Sequence, residues 1–420
     1  MLVLLLLTAV FVPCWYACKR SVSNGMVEIN HVTTFSFGFL FYWITPLAVR
    51  IATPDADFPL SSVWIDLFQE QLIAPYAISC IALYLCFVLG DSFGTRLFTR
   101  KERKSERVPL LGLCWITAGA SLLMAYSMLR FRAPLMRTAT PGDVPAQAAR
   151  GAVTACVVLM AAVALIYSLD HPLTTWRQRL LSFYFLPLIG GAAILVAVGS
   201  RLGVASLLVM FAIYHTSAVG RVRLRTVLIG LLLFACFFGA VGRWRETGSF
   251  GRPLFNVFEE PIFCSLSLVH YLSYRGIAWI NFPHGMAGDL RVLVPTVLMP
   301  NKVERLQDPY VYAPLGGLHS FVSFNLAFGL LGSAVFWFLL PMGFRYLRSR
   351  SSLTLFATMY IMCSGWLTFS FFRDPFRISL LKEIFEFSLI APVAIVYFAR
   401  LMSWSWSLLV IRRAKSEQHV

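Results

Sequence analysis

The sequence predicts an all-α, polytopic membrane protein, and three observations carry that prediction. Of its 420 residues, 58% are apolar and only 13% charged, with a mean hydropathy of +0.72, outside the range of soluble globular chains. Apolar runs recur at close to the roughly 20 residues needed to cross a bilayer. Lys and Arg gather in alternate connections between those runs, as they do in cytoplasmic loops. In a soluble protein the net charge of +16 would point to nucleic acid. Here the loop bias accounts for it, and no nucleic-acid partner is expected.

Taken in order, hydropathy predicts about eleven spans: 1–18, 32–49, 72–90, 108–129, 151–169, 181–199, 203–220, 226–242, 323–343, 352–371 and 379–400. The first run has no basic segment before it, and Lys19 and Arg20 follow it instead. It therefore reads as a retained helix and not as a cleaved signal. The densest basic loop, Arg96 to Arg107, defines the cytoplasmic side. Counting spans from it places Lys19/Arg20, Arg177/Arg179, Arg221/Arg223/Arg225, Arg345/Arg348/Arg350 and Arg412/Arg413/Lys415 on that same side, with the N-terminus outside. On this scheme the cytoplasmic side holds 20 Lys and Arg against 6 Asp and Glu, and the other side 16 against 14. The chain reads as one transmembrane domain, 1–420, interrupted by one long outer loop, 243–322. Within that loop Pro261–Ile280 is apolar, but His270 and Arg275 would be costly in hydrocarbon. A re-entrant or interfacial helix is expected there.

The nine cysteines suggest neither a disulfide framework nor a metal site, because no CxxC spacing occurs and eight of them lie in apolar runs. GxGxxG, Walker A, HExxH and GxSxG are absent too, so the common soluble chemistries have no motif here. No metal or cofactor is expected.

What remains is a set of basic residues on the outer side, where the charge rule predicts few. Arg201 sits in the short turn Gly199–Gly203, held at or just within the interface, a position at which an ionisable side chain is a functional candidate. Arg243, Arg245, Arg291, Lys302, Arg373 and Arg377 extend the cationic surface. Guanidinium groups bind phosphate in bidentate fashion and stay charged at physiological pH, so an anionic, diphosphate-bearing lipid is the expected ligand. His319 stands where the long loop re-enters the bundle, and its ordinary pKa suits a general base acting on a sugar hydroxyl. The first outer loop offers a rival base in Asp55, Asp57 or Asp66, of which Asp55-Ala-Asp57 has the DxD form of nucleotide-sugar enzymes. His171 and His215 read as structural.

Three stretches resemble a known family. Residues 290–302, LRVLVPTVLMPNK, are similar to a segment of bacterial oligosaccharide repeat-unit polymerases. Residues 319–332, HSFVSFNLAFGLLG, resemble the stretch that opens the next membrane helix in those proteins. The turn around Arg201 is similar to the Ser-Arg-Gly turn shared by Wzy-type O-antigen polymerases and O-antigen ligases, with Leu202 inserted here. The likeness covers about 195–345. The ligases carry His-Asn and an acidic residue before the first Gly, where this chain has His319-Ser320 and Phe328, and the difference favours a polymerase. The resemblance implies a multi-helix, GT-C-like glycosyltransferase of the bacterial inner membrane, its site facing the periplasm and independent of metal. It would join undecaprenyl-diphosphate-linked repeat units into O-antigen or a related polysaccharide, with a chain-length regulator as a further partner. Arg201 and His319 would be catalytic, and the other basic residues would hold the diphosphate. An O-antigen ligase and a lipid-linked-sugar transporter are the alternatives.

Overall fold

The computed structural model describes residues 2–52, 70–99, 107–131, 144–171, 175, 178, 180–198, 200–247, 253–281, 293–294 and 318–417. The described chain is almost entirely helical. In order, the helices are α1 (Leu2–Ser21), α2 (His31–Phe39), α3 (Thr45–Ala52), α4 (Glu70–Leu97), α5 (Leu110–Phe131), α6 (Val144–Asp170), α7 (Leu186–Ala197), α8 (Arg201–Tyr214), α9 (Leu224–Thr247), α10 (Pro253–Tyr274), α11 (Ser320–Ser349), α12 (Thr354–Trp366), α13 (Ser370–Arg373) and α14 (Ala391–Glu417). Wider π-helical stretches join α2 to α3 (Leu40–Ile44), extend α8 (His215–Val219) and precede α14 (Arg377–Ile390).

Seven helical segments are long and apolar enough to cross a membrane: Val3–Ser21, Ile73–Leu97, Leu110–Phe131, Ala149–Asp170, Leu202–Val219, Ser320–Ser349 and Ile378–Ser407. Each answers to one of the eleven expected runs. Two more runs become the shorter apolar helices Leu186–Ala197 and Leu224–Phe237. The remaining two differ because hydropathy does not register interruptions. The run 32–49 carries a π-helical stretch, and 352–371 divides into α12 and the four-residue α13.

Small residues let the backbones approach, as in other helical membrane proteins. A Cβ at Gly90 of α4 would collide with the backbone carbonyl of Phe338 in α11, and one at Gly112 of α5 would meet Ala399 of α14. Around these contacts an aromatic core forms. Phe35 stacks on Phe87 with centroids 3.8 Å apart, and Trp43 and Trp337 approach to 4.9 Å. A three-stranded sheet closes one end of the bundle. Asn24 and Gly25, both with positive φ, turn Val22–Ser23 back onto Met26–Val27, as an Asn-Gly hairpin turn requires. Met26 then pairs with Arg223 of β3 (Val222–Arg223). Next to it Asn30 caps α2, accepting from the backbone N–H of Val32 and Thr33, while Thr33 accepts from the Asn30 N–H in a reciprocal capping box.

Helix α11 is broken. Gly329 has φ 67° and ψ −175°, a conformation open to glycine and strained for other residues. In a straight helix Phe321 and Trp337 would stand about 24 Å apart. Instead Trp43 lies 5.5 Å from Phe321 and 4.9 Å from Trp337, so the two arms fold toward each other. The freed backbone groups at the break are satisfied from another segment: Leu330 N–H donates to Ala278 O and Leu331 N–H to Trp279 O. That segment, 276–281, continues from α10, which packs on α3, α9 and α11. Where a re-entrant or interfacial helix was expected over 261–280, the structure thus has a helix ending at Tyr274, followed by an extended strap. The helix is buried within the protein along Ile262, Cys264 to Val269, Tyr271 and Leu272.

Candidate functional site

Two polar assemblies are buried in the bundle, about 22 Å apart along α4, judged by the fifteen-residue rise from Tyr76 to Asp91. The first is centred on Asp91, which is fully buried. Its carboxylate accepts from Tyr16 Oη at 2.6 Å, from Arg345 Nε and Nη2 at 2.6 and 2.8 Å, and from His31 Nε2 at 2.9 Å, and Arg20 Nε stands at 3.2 Å. His31 Nδ1 meets the Tyr360 hydroxyl at 3.1 Å, which assigns the imidazole proton to Nε2. Nearby, Glu28 pairs with Arg348 and, at 3.6 Å, with Arg221. The basic connections around Arg20, Arg221 and Arg345–Arg350, grouped on one side from the sequence, do gather at one end.

The second assembly holds the residues singled out for chemistry. His319 caps the first arm of α11: its Nδ1 accepts from the Phe321 N–H at 3.3 Å, and its own N–H donates to Ser267 Oγ at 2.9 Å. With Nδ1 accepting, the hydrogen sits on Nε2, 3.3 Å from the Tyr76 hydroxyl. The ring has no exposed surface and packs 5.4 Å from Trp43. Burial pushes the imidazole down to about 3, so it is neutral. In this geometry both ring nitrogens are engaged, and His319 acts as a helix cap. Two turns on, Asn325 accepts from Tyr271 Oη and Ala278 N–H and donates to Ala278 O, fixing the strap to the first arm.

The arginine-bearing elements converge on that arm. Arg201 opens α8, and α8 packs on α13, which ends in Arg373. Helix α13 also contacts α11 and the π-helix, which begins at Arg377. Phe376 N–H donates to Ser323 Oγ at 2.7 Å, tying the connection between Arg373 and Arg377 directly to the first arm. Arg373 pairs with Asp374 at 3.1 Å. Arg243 and Arg245 lie near the end of α9, which packs along α10. Arg291 and Lys302, like the rival aspartates Asp55, Asp57 and Asp66, lie outside the described residues.

Sequence reading passed over one residue of this end. Glu383 lies in the π-helix, 8% exposed, within electrostatic reach of Asp374, Ser370, Lys382 and Arg373. A signal for it existed: Lys382, Glu383 and Glu386 are ionisable residues inside the predicted span 379–400, where such residues are rare and tend to be functional. A continuous π-helix of 14 residues is also unusual, since π-helix occurs mostly as single turns, often at functional sites. Asp91 and His31 were likewise not singled out, because each stands at the edge of a predicted span. No protein-family model matches the chain, and no curated protein or solved structure matches it either.

Proposed function

We propose that this protein is a membrane glycosyltransferase that polymerises undecaprenyl-diphosphate-linked oligosaccharide repeat units on the periplasmic face of a bacterial inner membrane, using a GT-C-like bundle of about eleven spans. The observation that carries the reading is the convergence of three arginine-bearing elements on one broken helix: the start of α8 with Arg201, α13 with Arg373, and the start of the π-helix with Arg377. Charge bias supports the orientation. The opposite end, with Arg20, Arg221, Arg345 and Arg348, carries the residues expected in the cytoplasm.

The chemistry asks little else of the protein. In such a reaction an acceptor hydroxyl displaces a diphosphate already attached to the donor sugar, and guanidinium groups can carry the charge that develops on the departing oxygen. Arg201, Arg243, Arg245, Arg291, Lys302, Arg373 and Arg377 are the proposed diphosphate-binding set, and His319 holds the arm against which they gather. A lipid-linked-sugar transporter is the second reading, and the break at Gly329 favours it, since transporters build their sites on discontinuous helices. Deleting the gene separates the alternatives. A polymerase null leaves a single repeat unit on the lipid acceptor, a ligase null leaves none, and a transporter null stalls lipid-linked units inside the cell. Only the first outcome sustains the proposal.

A further inference from the structure

We infer that Glu383 is the proton acceptor for the attacking sugar hydroxyl, an inference that rests on the polymerase reading. Its side chain is more than nine-tenths buried, and Oε2 has no hydrogen-bond partner among the described residues. Buried polar atoms are almost always satisfied, and a carboxylate within a membrane-spanning segment is costly to keep. An oxygen held there without a donor is suited to a donor that arrives with a ligand. A second observation points the same way. Ser364 Oγ and Thr368 Oγ1, at the end of the chain segment that packs on the π-helix, are also buried without a partner. Three unsatisfied polar atoms thus face a hydroxyl-rich ligand's chemistry at the end of the bundle where the arginines meet.

The comparison with His319 sharpens the choice. A general base needs an open lone pair. The His319 Nδ1 lone pair is committed to the Phe321 N–H, whereas Glu383 has an uncommitted oxygen with Arg373 and Ser370 in electrostatic reach. The step balances without a further reactant. The acceptor hydroxyl oxygen forms a bond to the anomeric carbon of the donor as the bond from that carbon to the diphosphate oxygen breaks. The bonding pair leaves on undecaprenyl diphosphate beside the arginines, and the hydroxyl proton passes to Glu383 Oε2, to be returned to water after release.

The test compares Glu383→Gln with Glu383→Asp, both expressed in the deletion strain and purified as the full chain. Removing a general base typically lowers a rate ~10²–10⁴-fold, so E383Q should accumulate single repeat units on the lipid acceptor. A base acts in the transition state, so purified E383Q should bind undecaprenyl diphosphate, the probe, with the wild-type Kd and unfold at the wild-type temperature. E383D, which keeps a carboxylate, should recover part of the polymer. Wild-type polymer from E383Q overturns the assignment, as does a complete lack of recovery in E383D. Loss of probe binding or of thermal stability in E383Q overturns it too, because the carboxylate would then be a structural or diphosphate-site residue. If the wild-type gene itself restores no polymer to the deletion strain, the polymerase reading fails and the inference falls with it.

Discussion

The two ends of the bundle contain similar residue types and treat them in opposite ways. At the Asp91 end every interaction is closed: one carboxylate takes Tyr16, His31 and both faces of Arg345, tying α1, α2, α4 and α11 through a single buried group. At the other end a helix is broken, the chain runs through a long π-helix, and buried oxygens on Ser364, Thr368 and Glu383 lack partners. A satisfied network rigidifies a core, whereas unsatisfied groups are a cost that folding alone does not justify. The closed end therefore reads as the clamp that holds the helices, and the open end as the place where something binds.

That contrast is broken most forcefully at Asp91. Asp91→Ala leaves Arg345 and His31 without their acceptor, and removing one partner of a buried ion pair typically costs about 3–5 kcal/mol. We expect the variant to unfold at a markedly lower temperature in detergent or to fail to accumulate. Glu383→Gln serves as the matched control at the open end, since it removes a carboxylate with an unpartnered oxygen, and its unfolding temperature should barely move. Equal losses of stability in the two variants would mean that the ends do not differ in the way described.

A smaller effect is expected at the break in α11. In Gly329→Ala the new Cβ would lie 2.7 Å from Asn281 N and Ile280 Cα, at a φ of 67°, so both strain and overpacking act. Each mechanism is worth about 1–3 kcal/mol. The strap 276–281 should detach first, releasing the Leu330 and Leu331 amides from Ala278 and Trp279. Hydrogen exchange at those two amides should accelerate while the amides around Asp91 keep their protection. Unchanged exchange at Leu330 would show that the strap does not depend on glycine.

How much of this was legible beforehand follows from what each signal measures. Hydropathy located seven runs that became long apolar helices, because burial in lipid and a run of apolar residues are the same physical statement. Loop charge grouped Arg20, Arg221 and Arg345 correctly, because that bias reports which ends lie together and needs no contact. The turn at Asn24-Gly25 was readable in principle from its residue pair, although no strand was expected there. The break at Gly329 was not readable. It depends on Asn325 and the strap residue Ala278, 47 positions apart, and no local pattern encodes that pairing. Asp91 was hidden for a related reason. A lone carboxylate at the end of an apolar run looks like a loop residue until His31 and Arg345 are brought to it from 60 and 254 positions away. Of the candidate site, Arg201, Arg373 and Arg377 were named correctly as neighbours-to-be at the level of their elements. The role of His319 was read from its placement beside a helix start, which describes a cap as well as it describes a base.

The smallest effect decides between those two roles. Asn is among the best capping residues, so in His319→Asn the amide oxygen can take over the bond from the Phe321 N–H. What is lost is the ring's packing against Trp43 and its contact with Tyr76. A partial loss of buried ring surface of this kind costs about 1–2 kcal/mol, and the variant should fold and keep most of its polymer. His319→Ala loses the cap as well, adding about 0.5–2 kcal/mol, and should be the less stable of the two. A catalytic histidine predicts another ordering. Asn cannot accept the proton, so His319→Asn would abolish polymer at nearly unchanged stability, and His319→Ala would be no worse in activity. Because the ring is held neutral, with its pKa pushed down to about 3, its titration should leave no inflection in the wild-type rate between pH 5 and 8. Chain-length profiles and unfolding temperatures of the two variants, measured side by side, therefore separate a residue that shapes the arm from one that handles the proton.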